Sequence, residues 1–225
     1  MASKVPLEIS SEKARGLKRY NQIAGLFHAL QAIAILVLAN GFSLPVHVSY
    51  LQGPPIPGVE FERVELFNFP VAIGVASFSI LSALAHFYVS GPGSNKYLLG
   101  LSNKTNYYRW IEYALSSTLM IILISLVNAV WDIVGLIAIA GANISMILFG
   151  WLQEKYEEPG KGSLLPFWFG CIAGAIPWIA MFLLLFSPGS TQEAPGFVYG
   201  IVFSLFLLFN CFALVQWLQY KEVGK

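Results

Sequence analysis

The stretch NYYRWIEYALSSTLMIILISLV, residues 106–127, decides the fold. It is apolar over a length that crosses a bilayer as one helix, for which about 20 residues suffice. Its carboxylate, Glu112, lies roughly 9–10 Å from the start of that helix at 1.5 Å per residue. The rest of the chain has the same character: of 225 residues, 56% are hydrophobic and 11% charged, with mean hydropathy +0.66. A soluble domain carries about 25% charged residues, so the chain reads as one integral membrane domain, residues 1–225. The net charge of +1 gives no reason to expect a nucleic-acid partner. Cys171 and Cys211 both lie in apolar runs, where they read as small buried hydrophobes and not as a disulfide or metal site. The polar, basic start MASKVPLEISSEKARGLKRY leads straight into an apolar run, with no cleavable leader visible.

Apolar runs of spanning length occur at about 21–40, 69–90, 106–127, 131–152, 164–187 and 197–219. These six runs predict an all-α bundle whose links are short except for one, 41–68, which is long and Pro/Gly-rich. Its end, VEFERVEL, alternates apolar and charged residues and predicts a short β-hairpin in the outer loop. Placing the N-terminus in the cytoplasm puts twelve of the thirteen Lys and Arg residues on that side. These include Lys4, Lys96, Arg109, Lys155 and Lys225, against Arg63 alone outside. This is a positive-inside pattern for a multi-pass protein of the cell membrane. Trp110, Trp131, Trp151 and Trp217 fall near span ends, where interfacial anchors sit, whereas Trp178 lies inside the fifth span beside Pro177.

Polar groups inside the apolar runs carry the functional signal, because ionisable side chains in hydrocarbon are costly. His28 lies roughly 10–12 Å into the first span, and His86 roughly 7 Å from the cytoplasmic end of the second. With Glu112 they reach a similar depth from three helices, which predicts a buried polar cluster in the cytoplasmic half. Ser116 follows Glu112 by four residues and Ser82 precedes His86 by four, so each shares a helix face with its partner. Asn21 and Gln31 flank His28. The plain alternative is that each residue is a satisfied polar group gluing helices together. A dry carboxylate needs a cation or a proton, and no Lys or Arg lies mid-membrane to pair with Glu112. The two histidines are candidate proton acceptors.

Other features are weaker. Gly170 and Gly174 form a GxxxG spacing, as do Gly196 and Gly200; helix packing within the monomer or dimerisation would each use it. Asn143, Ser145 and Met146 either line a cavity or pack against neighbours, and Asp132 and His47 read as exposed outer residues. No HExxH, nucleophile elbow or phosphate-cradling loop occurs, so no enzyme is expected. Two histidines and a glutamate are a conceivable zinc set, but nothing else resembles a catalytic metal site, and none is expected.

Several motifs resemble one family. RWIEYALSSTLMI (109–121) resembles the third helix of heliorhodopsins, and GLFHALQ (25–31), LSALAHF (81–87), NISMILFGWLQEKY (143–156), LLPFWFGCIAG (164–174) and PGFVYGI (195–201) resemble their counterparts in order. Heliorhodopsins are retinal-binding microbial rhodopsins with a cytoplasmic N-terminus, generally light sensors and not pumps. The resemblance implies a rhodopsin-like seven-helix bundle, of which six helices are present here. It implies all-trans retinal as cofactor, Glu112 as the Schiff base counterion with Ser116 beside it, and His28, His86 and Ser82 in a proton-accepting, cytoplasm-facing polar cavity. It implies Met146, Trp178, Phe209 and Asn143 around retinal, a strand-bearing outer loop, a homodimer in the lipid bilayer, and an unidentified signalling partner.

One departure is large: rhodopsins hold retinal on a lysine of the seventh helix, and no apolar run here contains a lysine. Lys221 and Lys225 follow the sixth run too closely to reach the bundle interior. The expectation is a portion of a longer rhodopsin. The competing expectation is a non-photoactive transporter, channel or assembly protein that uses His28, His86 and Glu112 as a proton relay.

Overall fold

The computed structural model describes residues 8–189, 191 and 193–223. Lys4 and Lys225, counted above on the cytoplasmic side, lie outside the described residues. Six helices are long and apolar enough to cross a membrane: α1 (Ser11–Val37), α2 (Val71–Ser90), α4 (Tyr107–Val127), α5 (Ile133–Tyr156), α6 (Leu165–Phe186) and α7 (Gly196–Tyr220). A hairpin of β1 (Ser43–Leu51) and β2 (Phe61–Pro70) joins α1 to α2, and a short helix, α3 (Ser94–Ser102), joins α2 to α4. The six spans and the hairpin between the first two are as expected from sequence.

Helix boundaries follow local chemistry. Ser10 caps α1 by accepting from Lys13 N at 3.2 Å, so the helix begins ten residues before the apolar run and carries the basic segment as helix. Asn106 caps α4 through Arg109 N at 3.3 Å. Asp132 caps α5, accepting from Val134 N at 2.9 Å and Gly135 N at 3.3 Å. Its carboxylate therefore has a structural partner, which exposure alone did not suggest. Ser187, with φ 38°, ends α6 in the left-handed region.

The helices pack in chain order, α1 on α2, α2 on α4, α4 on α5 and α5 on α6, with α7 more thinly applied to α6. A central apolar core of Ile121, Ile124, Ile139, Met181 and Val202 surrounds Trp178. In lipid such contacts hold helices by close packing, since apolar surface gains nothing by leaving an apolar solvent. Gly174 lies against the Met146 thioether and Gly170 against Phe149, so this GxxxG seats α6 on α5. Gly196 and Gly200 have open space beside them. α7 buries only Val202 and Tyr220, and α1 only Asn21, Gly25 and Ala32.

The hairpin is antiparallel, from Ser43 opposite Pro70 to Leu51 opposite Phe61, with a bulge between Val46 and His47. Val46 and Val48 are buried, and Val46 packs with Leu126 near the end of α4 and Leu136 near the start of α5. His47 N donates to Trp131 O at 2.8 Å, and its ring meets Trp131 edge-on at 6.1 Å. His47 is thus half-buried and docked, contrary to its reading as an exposed loop residue. Three further expectations change. Trp110 is buried against Gly150 and does not sit as an interfacial anchor. Cys211 is exposed on the outside of α7, and Ser145 is exposed on α5. Apolar runs do not reveal which face meets lipid, because both faces are apolar.

Candidate functional site

α2 carries the residues that knit the polar cluster. Ser82 and His86 are one turn apart, so one helix face presents a hydroxyl to α4 and an imidazole to α1. Ser82 Oγ donates to Glu112 Oε1 at 2.8 Å. Asn21 Nδ2 donates to Leu17 O at 2.8 Å, which leaves Asn21 Oδ1 turned to His86 Nδ1, 2.8 Å away. An amide oxygen only accepts, so His86 Nδ1 is the donor. The neutral ring then carries its proton on Nδ1 and its lone pair on Nε2. Asn21 thereby sets the tautomer of His86.

His28 lies flat over His86, with centroids 5.7 Å apart and 10° between planes. Its Nδ1 is buried and has no hydrogen-bond partner among the described residues. The face of α1 that meets α2 is narrow here, because Gly25 admits the ring of Phe87 and the Cβ of His86. Two imidazoles in contact disfavour charge on both rings at once.

Glu112 has Ser82 as hydrogen-bond donor and forms no ion pair among the described residues. The cation nearest it in sequence, Arg109, is committed elsewhere: its Nη2 lies 2.6 Å from Glu154 Oε2 on α5. Glu154 also accepts from Asn106 N. The structure therefore brings His28, His86, Ser82 and Glu112 together with Asn21. Ser116 is buried one turn beyond Glu112, and no hydrogen bond joins the two among the described residues. Gln31 is exposed and lies away from the cluster, lining a groove at the C-terminal end of α1.

The other candidate residues lie on the far side of α4. Asn143 Nδ2 donates to Ser117 Oγ and Thr118 Oγ1, both at 2.9 Å, tying α5 to α4. Met146 rests on Gly174. Trp178 packs edge-on against Phe206 at 5.1 Å and Phe209 at 5.6 Å. Tyr113 and Phe212, 4.9 Å apart, bridge α4 to α7.

A second polar cluster lies at the same end of the bundle, where the start of α4, the end of α5, the start of α6 and the end of α7 meet. Gln153, fully buried, donates to Ser163 O at 2.8 Å and accepts from Phe167 N at 3.1 Å, while Tyr220 Oη donates to Gln153 O at 3.1 Å. Sequence patterning does not single out Gln153 or Glu154, because a polar residue at a span end reads as solvated. No signal in the sequence separates them, since they follow the apolar run 131–152 and stand beside Lys155, Glu157 and Glu158.

Whether these residues suit retinal can be judged on charge and on attachment. Glu112, held by a hydroxyl and without a cation of its own, suits a positively charged nitrogen. Attachment does not fit, since no lysine lies in the apolar part of any spanning helix. No curated protein matches the chain. The family model for heliorhodopsins matches residues 17–225, which takes in the polar cluster and all six spans.

Proposed function

Because the chain belongs to the heliorhodopsin family, we propose that it is the counterion-bearing part of a light sensor that signals and does not pump. The family is one of retinal-binding, rhodopsin-type membrane proteins, and this chain is a multi-pass membrane protein. The observation that carries the proposal is the Ser82–Glu112–His86–His28 arrangement, with its carboxylate lacking a cation. Retinal, when bound, supplies visible absorption and a positively charged nitrogen. In this reading Glu112 is the counterion and Ser82 fixes its carboxylate, with Ser116 beside it. Asn21 holds the His86 Nδ1 proton in place, so that Nε2 is the atom that receives a further proton, and His28 shares that charge through the stack. Met146, Trp178, Phe209 and Asn143 form the apolar wall with one amide.

The lysine that holds retinal must then be presented from outside these six spans. The thinly covered faces of α1 and α7 are where a further helix would dock. A cytoplasmic N-terminus is supported by the distribution of Lys and Arg residues. A homodimer and a signalling partner complete the proposal.

The lack of a lysine in the spans favours one other reading, a non-photoactive transporter, channel or assembly protein in which the same histidines and Glu112 relay protons. One experiment separates the two. The coding sequence beyond Lys225 is read for an apolar span with a central lysine, and retinal is added to the expressed full protein. The first reading expects a visible band that Glu112→Gln shifts and renders strongly pH-dependent. A colourless protein whose proton flux responds to His28 and His86 substitutions would sink it and leave the relay.

A further inference from the structure

Between α3 and the first turns of α4 lies a groove of about 490 Å³ that the polar cluster does not use. Its residues sort by depth. Lys96 and Asn103 stand at the mouth, on and just after α3, and both are exposed. Leu99, Ile111 and Trp151 line the remainder, and no acidic residue lines it. Its aromatic walls are braced: Tyr107 packs on Trp151 at 5.4 Å, while Tyr108 lies 5.6 Å from Tyr88 and 6.5 Å from Tyr97.

Two features give the groove its chemistry. α3 lies between two spanning helices, at the level where hydrocarbon meets water, yet its Leu99 is 64% exposed. Ile111, one turn deeper on α4 than Tyr107, is 50% exposed. Leaving such groups bare is unremarkable only where lipid touches them. Among the described residues the charged lining of the groove is Lys96, and the exposed Lys104 follows α3, which suits a single negative group. Tyrosines and tryptophan at this level are the side chains that tolerate an apolar and a wet neighbour together.

We propose that this groove holds one anionic phospholipid, with its phosphate at Lys96 and Asn103 and an acyl chain along Leu99, Ile111 and Trp151. The charge complementarity of the mouth selects an anionic over a zwitterionic headgroup, and the apolar floor selects a lipid over a free phosphate. The proposal needs only the membrane-spanning fold and is independent of retinal and of which terminus is cytoplasmic.

The test is native mass spectrometry of the protein released from nanodiscs of equal phosphatidylglycerol and phosphatidylcholine, with the same mixture in both leaflets. One phosphatidylglycerol per chain is expected to survive release. Lys96→Glu is expected to lower the retained phosphatidylglycerol to phosphatidylcholine ratio by roughly fivefold or more, and Lys96→Arg to leave it unchanged. Ile111→Trp, which fills the floor and keeps the charge, is expected to expel the lipid as well. Circular dichroism in pure phosphatidylcholine discs checks that each variant is folded. Equal retention of the two lipids, or a ratio indifferent to both Lys96→Glu and Ile111→Trp, overturns the proposal. So does displacement of the lipid by millimolar glycerol phosphate, which would make the site a phosphate site.

Discussion

The two sides of α4 are built on different terms. Towards α1 and α2 the contacts include directed hydrogen bonds, Ser82 to Glu112 and His86 to Asn21. Towards α6 and α7 the contacts are aromatic, with Trp178 wedged among Phe182, Phe206 and Phe209 at centroid separations of 5.1–6.3 Å. The first side depends on direction, since a hydrogen bond weakens steeply when its angle fails. The second depends on volume, since each atom contact is small and the sum is large. A defect on the polar side should therefore change the charge state with modest loss of stability, while a defect on the aromatic side should do the reverse.

The strongest challenge to this contrast is Trp178→Ala, which empties the centre of the aromatic side. It should cost about 3–5 kcal/mol, read as a lowered thermal unfolding midpoint in detergent, without altering the infrared carboxyl band of Glu112. Ser82→Ala comes next. It removes the one hydroxyl held to a carboxylate oxygen, a bond worth about 1.5–3 kcal/mol, and should shift the Glu112 carboxyl band in the infrared spectrum. If the Glu112 carboxyl band is the same in both proteins, the polar side is not specified by direction as described. The smallest effect is expected for Asn143→Ala, which cuts two neutral interhelical bonds. At about 0.6 kcal/mol each in a membrane, the total loss is near the limit of a careful unfolding measurement, and a loss as large as that of Trp178→Ala would refute the division.

Much of this was legible in the sequence, and for identifiable reasons. Hydropathy locates a span because an entire helix length must be apolar, so all six runs became helices within a few residues, except that α1 starts early at its serine cap. The convergence of His28, His86 and Glu112 was legible because ionisable groups are rare in such runs and depth follows from helical rise. Partner choice was not. Nothing in the sequence singles out Glu154, which takes Arg109 and leaves Glu112 to Ser82. Trp110 looked like an interfacial anchor and is buried against a glycine. Both depend on helix rotation, and an apolar run that is apolar all round carries no record of its own rotation.

The hairpin's hold on the bundle has a consequence for tolerance to change. Its link to the α4–α5 turn is a main-chain amide, His47 N to Trp131 O, placed one step past the bulge at Val46. An amide is common to every residue except proline. In a saturation library selected for surface expression, position 47 should accept polar, apolar and charged replacements alike and reject proline. Deleting a single residue beside it should be worse than any of them, because it would undo the bulge and turn Val46 and Val48 out of the core.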